Sequence, residues 1–183
     1  MPHRLLPVLC LLLSTAAAAQ HAGTHGHPQQ GAPAVARPYA GLQQREVAGL
    51  DAQEVADLRA GRGMRLALPA ELNDYPGPLH ALELADLLGL SPAQRSILTD
   101  LVAGMRAATI PLGDALIGAE RTLDSVFANG TASAMAVDAA AEAAALARGR
   151  LRAAHLRAHL ATRAAMTEAQ RRNYARLRGY APP

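Results

Sequence analysis

The sequence has no tryptophan and no lysine, a single phenylalanine and a single cysteine. One cysteine cannot close an intrachain disulfide, and it rules out metal sites built on paired thiolates. Aromatic residues make up 3% of the chain, too few for a β-sandwich core and suited to helix packing on helix. With lysine missing, arginine carries all the permanent positive charge. There is no glycine-rich phosphate loop and no nucleophile elbow. The spacing of Ser, His and Asp suggests no triad. Asp114, Glu120 and Asp124 show no arrangement for general acid–base work. An enzyme is therefore not expected.

The first residues carry the marks of export. Arg4 is followed by the apolar run Leu5 to Leu13 and a small-residue exit from Thr15 to Ala19. Residues 1–19 read as a secretory signal peptide, too short to span a bilayer, cut after Ala18 or Ala19. Cys10 leaves with it, and Leu9 stands where a lipoprotein acceptor needs a small neighbour. No second long apolar run is evident, so the expected product is periplasmic, with no transmembrane segment in the mature chain and no nucleic-acid partner. Residues 20–40 read as a disordered tail holding His21, His25 and His27 among Gly, Pro, Gln and Ala. Such a tail can wrap weakly around Cu²⁺, Ni²⁺ or Zn²⁺. A cut after Ala18 would add a free amine ahead of His21 in the register of a square-planar copper or nickel site, and a cut after Ala19 would remove it.

Beyond the tail a five-residue phrase recurs: Leu50-Asp51-Ala52-Gln53-Glu54, Leu90-Ser91-Pro92-Ala93-Gln94 and Met166-Thr167-Glu168-Ala169-Gln170. A small oxygen-bearing residue three positions before Glu or Gln is a capping box, so each copy predicts a helix start. The expected helices cover Ala52 to Ala60, Leu79 to Leu88, Ser91 to about Ala128, Thr131 or Ser133 to about Ala165, and Thr167 to about Arg178. Leu66 to Leu72 reads as a short helix rather than a strand. Pro111 should kink the first long helix. Leu98, Leu101, Met105, Leu112, Leu116, Leu123 and Phe127 form its apolar stripe. The fold class is all-α: a long antiparallel helical hairpin over residues 41–180 with added short helices, whose thin core favours a homodimer.

Two groups of residues stand out as site candidates. His155 and His159 lie four apart, so their rings point the same way, as in helical metal sites. With Leu146, Ala153, Leu156 and Leu160 as the packing stripe, both histidines fall on its flank beside Arg148, Arg152 and Arg163. Two ligands alone do not make a site, and His80, Glu120 or Met166 are candidates for a third. Met64, Met105, Met135 and Met166 read as core filling. Nine arginines and one acid, Glu168, occupy the stretch from Arg148 to Arg178. Arg152, Arg157 and Arg163, interleaved with leucines, offer an amphiphilic face for loose capture of partly unfolded chains.

The copies at Leu90 and Met166 carry a resemblance. With each making one conservative departure from Leu-Thr-x-x-Gln, the chain from Tyr75 to Tyr180 resembles the Spy/CpxP family of periplasmic stress proteins, with Ser91, Gln94, Thr167 and Gln170 as the motif's capping residues. What the resemblance implies is a cradle-shaped helical homodimer without required cofactors. Its members act without ATP as chaperones for unfolded or misfolded periplasmic proteins, or as partners of envelope-stress sensor kinases. Periplasmic heavy-metal sensor and resistance proteins of the ZraP and CnrX type are similar in fold and use histidines for Zn, Cu or Ni. That similarity implies a metal role for His155 and His159.

Overall fold

All three repeated phrases open helices, each as a complete capping box. In the computed structural model, which describes residues 37–180, Asp51, Ser91 and Thr167 accept from the backbone N–H three residues on. Glu54, Gln94 and Gln170 reach back to the cap residue's own N–H. The described residues are mostly helical, with no strand among them. After a short 3₁₀ turn at Leu42–Gln44 come α1 (Ala52–Arg59), α2 (Leu68–Glu71), α3 (Pro78–Glu83), α4 (Pro92–Ala128), α5 (Ala134–Ala165) and α6 (Glu168–Leu177). The short third helix stops at Glu83, and turns continue to Gly89 at φ +60°. The helical assignment of α4 runs through Pro111. The signal region, Cys10 and the tail histidines His21, His25 and His27 lie outside the described residues.

Contacts centre on α4. It packs on α1, α3 and α5, while α5 also touches α2 and α3. Gln94, in the first turn of α4, donates to the carbonyl of Ala165 at the end of α5 (2.9 Å), so the start of one long helix lies beside the end of the other. One core cluster gathers Val47, Leu50, Val55 and Leu58 against Leu116, Ile117 and Leu151. A second gathers Ala81, Leu88, Leu90 and Leu98 against Met166 and Tyr174. The crossing of α1 over α4 depends on glycine. A Cβ at Gly113 would stand 2.4 Å from the carbonyl oxygen of Leu58.

The buried side of α5 differs from the leucine-based expectation. Leu146 and Leu160 are exposed, and the buried set is Ala140, Ala144, Leu151, Ala154, His155, Ala158, His159 and Thr162. The helix approaches its neighbours through alanines, whose small side chains allow close packing and leave little trace in a hydrophobic periodicity. The apolar face is therefore turned toward the histidines, which are inside rather than on a free flank. On α4, Leu98 and Leu116 are buried as expected. Phe127, at the end of the same stripe, is exposed. By length and composition α4 is long and apolar enough to cross a membrane, a property missed when only continuous apolar runs are sought.

Candidate functional site

Glu71 closes the short helix α2, in the segment where the sequence pattern is weakest. Its carboxylate is buried and ringed by donors. The N–H of Gly77 donates to Oε2 at 3.1 Å, and the hydroxyls of Tyr174 and Tyr180 donate to Oε1, the latter at 3.3 Å. His80 Nδ1 stands 3.3 Å from Oε1, and His159 Nδ1 stands 3.5 Å from Oε2. Burial pushes the Glu71 carboxyl up. The hydrogen bonds from His80 and Tyr174, with the electrostatic influence of His80 and His159, outweigh it and hold the group below its ordinary value. Burial and the Glu71 bond together drive the Tyr174 hydroxyl far up, so it stays a donor.

This hub fixes the histidine tautomers. His159 Nδ1 lies 2.8 Å from the carbonyl oxygen of Tyr75, which can only accept, so Nδ1 carries the hydrogen. The ionised Glu71 makes the same demand of His80 Nδ1. On each ring Nε2 is then the nitrogen left without a protein acceptor. An acceptor on one ring nitrogen that frees the other is how proteins prepare imidazoles for ligation.

His155 is different. It is 2% exposed, and its Nε2 is buried without a hydrogen-bond partner among the described residues. Burial, with a contribution from His159, holds its pKa below the ordinary value, so the ring is neutral. An orphaned buried polar atom costs about 1–3 kcal/mol and calls for a reason.

The three rings line one open cavity of about 400 Å³, together with Glu71, Met64, Met105 and Tyr180. Glycine gives His159 its room, while the approach of Gly63 to His155 is ordinary contact. A Cβ at Gly77 would stand 3.1 Å from His159 Cε1, and one at Gly63 would stand 3.6 Å from His155 Nδ1. Consecutive non-glycine residues Met64 and Arg65 hold left-handed backbone, φ 41° and 66°. Each such residue costs about 1–2 kcal/mol, and strain of this kind concentrates at functional sites. Here both residues line the cavity. Among the described residues, no three His, Cys, Asp or Glu side chains are grouped as a ready metal site.

The other candidates separate. Of the suggested third ligands, His80 shares the cavity. Glu120 instead faces Arg148 (3.6 Å), and Met166 is buried in the second core cluster. Arg163 is committed to structure: its guanidinium binds the Asp74 carbonyl (3.1 Å) and carboxylate (3.2 Å) and lies 4.8 Å over the Tyr75 ring. Arg152 and Arg157 are exposed. Met105 lines the cavity rather than only filling core. Glu71, Tyr174 and Tyr180 escaped the sequence reading. The one available signal was a lone acid among Leu66, Ala67, Leu68, Ala70 and Leu72 between two turn clusters. Compared with family models, curated proteins and solved structures, the chain matches none.

Proposed function

We propose that this chain is an exported stress protein of the Spy/CpxP type that holds partly unfolded proteins without ATP. The observation that carries the reading is a solvent-facing stripe on α5. At 100° per residue Leu146, Arg150, Arg157 and Leu160 fall within one arc of about 80°, and all are exposed, the two leucines at 55% and 56%. Alternating leucine and guanidinium suits loose capture, with charge accelerating encounter and apolar area providing adhesion. Exposed Phe127 and Met135, flanking the α4–α5 turn, extend the adhesive surface. In this reading α4 and α5 form an antiparallel hairpin, and a homodimer along the long helices makes the cradle. The test is suppression of aggregation of a denatured client by the full chain, at low and high salt. Suppression should weaken with salt and in R150Q/R157Q, which leaves the Arg163 clamp intact. Equal suppression by that variant at both salt concentrations sinks the electrostatic part.

One observation favours a second reading, a heavy-metal-binding sensor or resistance protein that docks on an envelope sensor. His155 and His159, chosen for their spacing, share a cavity with His80 and the orienting carboxylate of Glu71. Calorimetric titration of Zn²⁺ and Cu²⁺ into the chain and into H155A/H159A tests it. Binding by the first that the second lacks supports this reading, and identical isotherms remove it.

A further inference from the structure

We infer that the cavity beside Glu71 takes a soft monovalent cation, Cu(I) or Ag(I), through the imidazoles of His80, His155 and His159 and the thioethers of Met64 and Met105. The inference rests on the metal-binding reading and names the ion. Three observations and one rule of ligand chemistry carry it. The cavity brings two thioethers together with three imidazoles. Thioether sulfur is a poor ligand for zinc or nickel and a good one for Cu(I). The Nδ1 atoms of His80 and His159 are committed to Glu71 and to the Tyr75 carbonyl, which leaves their Nε2 atoms for a ligand. His155 Nε2, on a ring almost wholly buried, has no partner among the described residues.

Charge and ligand count point the same way. A cuprous ion is satisfied by few donors, and here sulfur supplies part of the set. The cavity wall holds one carboxylate, Glu71, with Arg65 also on the lining. That balance suits a single positive charge better than two.

The test uses the full chain with His21, His25 and His27 replaced by Ala, which removes the tail's imidazoles. Cu(I) is titrated without oxygen against a chromogenic Cu(I) chelator, and Zn²⁺ is titrated in parallel. One Cu(I) per chain is expected, with Ag(I) competing for it. M64L/M105L, which keeps side-chain volume and removes both sulfurs, should weaken Cu(I) binding by about tenfold or more. H80Q, on a half-exposed ring, should weaken it independently, and thermal unfolding checks that each variant is folded. Zn²⁺ bound in preference, or Cu(I) bound equally by M64L/M105L, overturns the soft-ion inference and leaves a metal site standing. No stoichiometric binding of either ion overturns both.

Discussion

Gln94 and Gln170, the closing residues of two capping boxes, hydrogen-bond to each other. Gln94 Nε2 donates to Gln170 Oε1 at 2.8 Å, and Gln170 Nε2 donates to Gln94 Oε1 at 3.0 Å. Each Oε1 also accepts from its own cap residue's N–H, Ser91 or Thr167. The two helix starts are thereby clamped across the fold. The pairing explains a detail of the repeated phrase. Glu54, which caps α1 alone, is an acid, whereas the two that meet are amides. Only an amide both accepts from its own cap and donates to the other.

Substituting Gln94→Glu should therefore destabilise the chain by about 1–2 kcal/mol. It removes the donor to Ala165 and Gln170 while keeping the capping acceptor. Glu54→Gln, which alters a box with no such partner, should be nearly neutral. Urea unfolding of the two variants checks this. Equal effects would mean that capping alone matters at Gln94.

Gly113 and Gly118 should respond to alanine with opposite signs. Alanine in a helix interior gains about 0.5–1 kcal/mol over glycine. At Gly118 nothing lies within 4 Å of the added Cβ, so that gain should be realised. At Gly113 the Cβ would meet Leu58 backbone at 2.4 Å. G113A should lose stability, by about 1–3 kcal/mol, through forced separation of α1 and α4. A stabilised G113A would show that this crossing is not tight.

Glu71→Gln should cost about 2–3 kcal/mol, because an amide presents one acceptor and two donors where Gly77, Tyr174, Tyr180 and His80 all need acceptance. Thermal unfolding reads the loss. A melting temperature unchanged from the parent would show that the carboxylate hub contributes nothing to the fold.

In the metal-free chain, stability should decline as pH falls below the ordinary histidine value of 6.5. The folded His155 pKa lies under that value, through burial and then the neighbouring His159. Between the two pKa values the unfolded chain binds more protons than the folded one. The contribution of His155 is thus fully present above about 6.5 and shrinks as pH drops toward the folded pKa. The cavity's other ionising groups, Glu71, His80, His159 and Arg65, stay in place in H155Q. That variant should show a flatter dependence of melting temperature on pH between 7.5 and 5. The same slope in both would assign the loss to those neighbours.

Local chemistry made the helix starts legible in the sequence. Asp51, Ser91 and Thr167 cap through bonds spanning three residues, so no distant partner is needed to foresee them. Gly130 and Gly179 likewise follow helix ends at φ +65° and +73°. The all-α class followed from the same signals, with few aromatics and no alternating pattern. The orientation of α5 was beyond that reading. It is decided by how closely Ala140, Ala144, Ala154 and Ala158 let the helix approach its neighbours, and alanine carries almost no hydrophobic signature. The candidate site was half legible. The four-residue spacing of His155 and His159 marks one face of one helix. Their burial, the tautomer imposed on His159 by the Tyr75 carbonyl, and the arrival of Glu71, His80, Met64 and Met105 are long-range events. They depend on α2 and α3 folding back onto α5, and only tertiary packing brings together residues some eighty positions apart.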